Sequence, residues 1–293
     1  MAEIHHFTYG AFNPIAAYLL AFLGSFFGLL GTARARDART RGRRNRWLLI
    51  SAFAIGGGAI WLMHFTAILG FDVPASPVRF DVPTTVLSLF AAVVAVGIGL
   101  MVVGHGRRRL PKVVIGGLLT GGGVTAMHYT GMRGMHVAGH MGYDLGLVAA
   151  SVIIAVVAST VALWFAVSVR GYRRISGAAA IMAAAVCGMH YTGMAAMSVR
   201  LNATGPQAVE GIRPLTMIVP ITVITAATIV AVALSALQAM TEEEFTDGAG
   251  LPRRGVHAET STNPWSLKQV TPVPVAARRP SPRPVPLRST SGS

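Results

Sequence analysis

Acidic residues are scarce in this 293-residue chain, where 11 Asp and Glu stand against 25 Lys and Arg for a formal net charge of +14. Charged residues of both signs make up only 12% of it, about half of what a soluble domain carries. Cysteine occurs once, as Cys187, which excludes an internal disulfide and a cysteine-rich metal cluster. There is no nucleophile elbow, no phosphate loop and no paired-carboxylate site, so the chain is not expected to be an enzyme. Asp and Glu are also missing from every long apolar run, which leaves no carboxylate proton relay across a membrane.

Apolar sequence fills the chain instead. Hydrophobic residues make up 53% and the mean hydropathy is +0.56. Several runs exceed the roughly 18 residues needed to cross a bilayer. The fold class expected is all-α, a polytopic membrane bundle of about seven transmembrane helices, near 14–31, 47–70, 83–104, 113–132, 145–169, 175–198 and 214–239. Positive charge collects between them mostly on one side, the alternate connections holding Arg79, Arg133, and the pair Arg200 and Arg213. Seven arginines lie within 32–46, three more with Lys112 lie within 105–112, and Arg170, Arg173 and Arg174 lie within 170–174. The positive-inside rule makes that side cytoplasmic. The N-terminus is then outside the cell membrane and the C-terminus is cytoplasmic. The basic turns are read as topogenic and as contacts for anionic lipid, and nucleic acid is not expected as a partner. Met1-Ala2-Glu3 offers no basic leader region, so the first run is expected to be a retained helix.

The membrane domain is expected to cover 1–240. Beyond it, 241–293 holds eight of the sixteen prolines, with Ser, Thr and Arg, a composition expected to give a disordered cytoplasmic tail.

One short motif occurs three times: Met63-His64-Phe65-Thr66, Met127-His128-Tyr129-Thr130 and Met189-His190-Tyr191-Thr192. The intervals are 64 and 62 residues, so the repeating unit is a helix pair with the motif on its second helix, on spans 2, 4 and 6. The histidines lie 17, 16 and 16 residues beyond Trp47, Lys112 and Arg174. At 1.5 Å per residue that is about 24–26 Å of helix, close to the outer boundary of an approximately 30 Å hydrocarbon core. A polar residue at membrane depth is a functional candidate by default, and imidazole with thioether is a soft donor set for a metal.

Successive helical residues turn by 100°, so the four motif residues cannot all face one ligand. His128 with Met132, and His190 with Met194, are four apart and share a face. The sparest site is therefore His64, His128 and His190 with Met132 and Met194, and with Cys187, one turn before His190, as a further candidate. The first copy has Ile68 where the methionine would stand. His5, His6, His136 and His140 also fall on the expected outer side and join the list of candidate metal ligands. The motif threonines are expected to bond to backbone carbonyls.

These residues resemble the MHYT domain, a bacterial integral membrane sensor module named for the tetrad. The likeness covers roughly residues 5–240 and includes His5-His6-Phe7-Thr8-Tyr9-Gly10 followed by Asn13-Pro14. It implies copper bound by Met63, His64, Met127, His128, Met189 and His190, and a response to oxygen, carbon monoxide or nitric oxide. It also implies output through a cytoplasmic signalling partner, since members often carry cyclic-dinucleotide or kinase domains and this sequence shows no such pattern. Two readings compete with the sensor. One is copper capture or transport through the Met- and His-rich segment 132–141. The other is haem held between opposed His or His and Met ligands.

Overall fold

The computed structural model describes residues 3–5, 8–106, 109–201 and 209–214, with isolated positions between 216 and 234. Six helices among them are long and apolar enough to cross a membrane: α1 (Phe12–Asp37), α2 (Arg41–Ile68), α3 (Val82–Gly104), α4 (Leu110–Arg133), α5 (Leu145–Ser168) and α6 (Tyr172–Ala195). Each matches one expected span within a few residues. The expected seventh span and the tail fall outside the described residues, apart from isolated helical positions from Pro214 to Leu234.

Neighbouring helices pack in order around a ring, and α6 closes it against α1. The outward faces are apolar, with Leu19, Phe90, Leu118, Ile153, Val157 and Ile181 all more than half exposed. Rows of bare apolar side chains on the outside, with serine and histidine buried inside, suit a lipid surround rather than water. This is a multi-pass membrane protein.

Helix α2 is the most enclosed of the six. Its small residues explain why. A Cβ on Gly56 would lie 2.8 Å from Val93 Cα, and Ala59 of the same helix abuts Gly24 of α1. Side chains reduced to hydrogen or methyl let three helix backbones approach closely. The stretch Phe53–Leu62, which contains Gly56-Gly57-Gly58, is wound as a π-helix and returns to α-geometry at Met63. A π-segment shifts the phase of the helix beyond it, so it helps set the direction in which His64 leaves α2.

Two short antiparallel pairs lie at the ends of the motif-bearing helices. β1 (Arg79–Phe80) pairs with β2 (Met135–His136), and β3 (Gly139–Tyr143) pairs with β4 (Met197–Leu201). Two helices start at this end with an aspartate cap: Asp81 accepts from Thr84 N at 2.8 Å and Asp144 from Leu147 N at 2.9 Å. Hydrogen bonding from Thr84 holds the Asp81 carboxyl below its ordinary value.

Candidate metal centre

The repeat places its three histidines at one level because each ends a helix at the same distance from a turn. His64 is followed by four more residues of α2, and His128 and His190 by five each of α4 and α6. All three are at most 1% exposed. The shared layer expected from sequence is therefore realised, and the three arms converge on one point.

The imidazoles contact one another edge to face. Ring centroids are 5.0 Å apart for His64 and His128, 4.9 Å for His64 and His190, and 5.2 Å for His128 and His190. The Nδ1 atoms face inward. His64 Nδ1 lies 3.0 Å from His190 Nδ1 and 3.2 Å from His128 Nδ1. An imidazole nitrogen has a single in-plane site, donor or acceptor, so His64 Nδ1 cannot form straight hydrogen bonds to both neighbours. One ion at the centre would serve three lone pairs together. Nitrogens bound at about 2.0–2.1 Å in tetrahedral array are about 3.3–3.4 Å apart, close to the spacing seen. Among the described residues this is the one cluster of three such donors within reach of a common ion. The rings touch, so a single ion fits between them far better than the flat macrocycle of haem.

Glycine makes this contact feasible. The Nε2 edge of His64 lies over Gly131, where a Cβ would come within 2.5 Å of it, and His128 lies over Gly193 in the same manner. The glycine after each Met-His-Tyr-Thr thus receives the histidine of the preceding copy. The first copy has the buried Ala67 at the equivalent place. The sequence signal that could single these two glycines out is their fixed offset of three from His128 and His190. The Nε2 atoms of His64 and His128 are buried without a hydrogen-bond partner. A histidine ligand usually donates its second N–H to an acceptor; here packing against glycine backbone fixes the rings instead.

Around the triad, each motif aromatic packs on its own histidine, with centroids at 4.9 Å for Phe65, 4.9 Å for Tyr129 and 5.0 Å for Tyr191. The Tyr129 hydroxyl bonds to Ser151 Oγ at 2.8 Å. Phe65 is enclosed by Trp61 and Phe80, an apolar setting that explains the missing hydroxyl. Thr192 Oγ1 donates to Gly188 O at 2.8 Å, as expected for a motif threonine. Asn13 Nδ2 donates to Thr66 O at 2.8 Å and pins the start of α1 to the motif of α2.

The five candidate methionines, Met63, Met127, Met132, Met189 and Met194, are all buried. Met127, Met132, Met189 and Met194 belong to the main core, whereas Met63 packs with Ala17, Ala21, Ala67, Ala183 and Cys187 between α1, α2 and α6. Cys187 is a buried free thiol one turn before His190. The other candidates lie apart. His5 is exposed and contacts Glu3 Oε1 at 3.0 Å. His136 is exposed on β2, where Nδ1 donates to Glu210 O at 3.4 Å. His140 is exposed on β3 opposite Arg200. His6 lies outside the described residues.

An apolar cavity of about 60 Å³ lies along the bundle, lined by Ile60, Val96, Val124, Met182 and Met189 among others. That is several times the roughly 10–15 Å³ that one water-sized molecule requires. Met189, the residue before His190, contributes to this lining, whereas the three histidines do not.

The family model of MHYT, described as a bacterial signalling protein N terminal repeat, matches residues 57–116, 121–179 and 184–246. Each match begins six or seven residues before its histidine. Curated relatives include the bifunctional diguanylate cyclase/cyclic di-GMP phosphodiesterase MucR of Pseudomonas aeruginosa, 39% identical over 69% of this chain and 29% of the relative. The cyclic di-GMP phosphodiesterase NbdA of the same organism is 34% identical over 68% of this chain and 26% of its own length. The signaling protein YkoW of Bacillus subtilis is 26% identical over 69% and 26% respectively. The chain thus spans less than a third of the length of these relatives. No solved structure matches it.

Proposed function

Because this chain belongs to the MHYT family of bacterial signalling proteins, we propose that it is a membrane sensor that holds copper on His64, His128 and His190. Its input is a diatomic gas (oxygen, carbon monoxide or nitric oxide) or a change of redox state. The observation that carries this reading is the meeting of three buried histidines, with His64 Nδ1 3.0 Å from His190 Nδ1 and 3.2 Å from His128 Nδ1 and all three within reach of a common ion. Imidazole suits both copper oxidation states and thioether favours Cu(I). Met132 and Met194, one turn beyond His128 and His190, are proposed as additional ligands. Met63, Met127 and Met189 each leave their helix about 100° away from the adjacent histidine and are the weaker candidates.

When bound, copper would supply a one-electron couple and a coordination position open to a small ligand. The chain's own residues do the rest. Gly131 and Gly193 let the rings meet, the motif aromatics and the strand-capped end shield them, and the apolar cavity beside Met189 gives an uncharged diatomic a place to reside. The orientation proposed puts the triad near the outer face and the arginine-rich turns in the cytoplasm, where a signalling partner receives the output. Transport is less well supported: His136 and His140 are exposed on the strand pairs and do not join the triad.

The test is metal content. Protein purified in detergent and loaded with Cu(I) is expected to retain copper near one ion per chain after desalting, with no Soret band. The His128→Ala/His190→Ala double variant is expected to lose it. Equal copper in wild type and double variant overturns the assignment.

A further inference from the structure

The arginine-rich end of the bundle holds a second cavity of quite different character. It measures about 160 Å³ and is bounded by Thr32 and Arg36 of α1, Arg44 and Leu48 of α2, Val103 of α3 and Ala166 of α5. Arg36 is held in place because its guanidinium donates to the carbonyls of Ala166 and Val169 at the end of α5. Arg44 enters from α2, and its Nε is buried without a hydrogen-bond partner. Among the described residues no carboxylate lines the cavity. The nearby Asp37 is exposed and contacts Arg170 at 3.4 Å.

A guanidinium with a buried, unbonded Nε beside a partly polar cavity needs an acceptor there, and an anion answers the two neighbouring positive charges as well. A planar fork of N–H donors matches the tetrahedral oxygens of phosphate and grips them in pairs. Basic pockets between transmembrane helices at the positively charged membrane face take phosphate-bearing head groups in this way. We propose that this cavity binds a phosphate group, with Arg44 as the principal donor and Arg36 as a fixed second charge. The group is carried either by an anionic lipid or by a soluble phosphate compound. The site joins four of the six helices at the end opposite the histidines, so occupancy would brace the bundle there. The proposal stands apart from the copper reading and uses none of its residues.

The experiment is thermal unfolding of the full chain with two probes. In neutral detergent, inorganic phosphate is titrated against chloride at constant ionic strength. In parallel, the protein is placed in phosphatidylcholine nanodiscs with and without phosphatidylglycerol. Saturable stabilisation by phosphate identifies a soluble ligand. Stabilisation by phosphatidylglycerol alone identifies the lipid head group. In either case Arg44→Gln is expected to weaken the effect about tenfold or more, as loss of a charge-assisted hydrogen bond requires, while copper content stays unchanged. Arg44→Lys keeps the charge but not the fork, guards against a folding defect, and is expected to fall between the two. A response that is the same in wild type and both variants, or that follows ionic strength alone, overturns the proposal.

Discussion

Single atoms decide the character of the triad. Gly131 carries the clearest consequence: in Gly131→Ala the added Cβ would sit 2.5 Å from His64 Nε2, so the ring has to swing away. The expected result is a helical, folded protein with weakened copper retention, read by metal analysis alongside circular dichroism. Unchanged retention would show that the ring has room the structure denies it. Phe65 gives the converse case. It is 1% exposed and packs on Trp61 and Phe80, so restoring the motif's tyrosine buries a hydroxyl among apolar rings. Phe65→Tyr is expected to destabilise by about 1–3 kcal/mol, seen as a lowered Tm, even though it brings the first copy closer to the other two. A neutral or raised Tm would mean that an acceptor is within reach.

At the level of elements, most of the architecture is legible in sequence because membrane-spanning helices announce themselves by length and hydropathy. Six spans and the level of the three histidines emerge from counting residues between charged turns. The strand pairs do not. Arg79–Phe80 and Met135–His136 are two residues each, too short for any alternation, and Gly139–Tyr143 reads as glycine and histidine rather than as β-formers. Their pairing depends on where the helices end, which is tertiary information. The π-wound Phe53–Leu62 is equally silent, since Gly56-Gly57-Gly58 reads as a packing stripe. The Asp81 cap yields a prediction with a sign. The folded carboxyl is held below its ordinary value by Thr84, so its contribution to stability is present above the unfolded pKa of about 4. It is lost as pH falls through the lower folded value. Asp81→Ala is therefore expected to be less stable than wild type at pH 7, with the gap closing under acid. A gap independent of pH would assign the effect to something other than the charged cap.

For the molecule as a whole, the sequence discloses three equivalent arms at one depth but leaves open whether they meet. Closure of the helix ring settles it. Helices α2, α4 and α6 alternate with their partners around the bundle, so side chains at the same level on all three point to a shared centre. Gly131 and Gly193 then remove the last obstacle between them. The methionine ligands stay proposals, because a thioether on a flexible stem is not fixed by helix phase as an imidazole is. We propose above all that His64, His128 and His190 bind one copper ion through nitrogen. X-ray absorption spectroscopy of the Cu(I)-loaded full chain tests it most directly. The expected result is a first shell containing two to three nitrogen scatterers at about 2.0 Å with the multiple-scattering pattern of imidazole, lost in the His128→Ala/His190→Ala variant. Copper that is absent, or present without imidazole in its shell, would contradict it and leave the triad as a packing feature of the bundle.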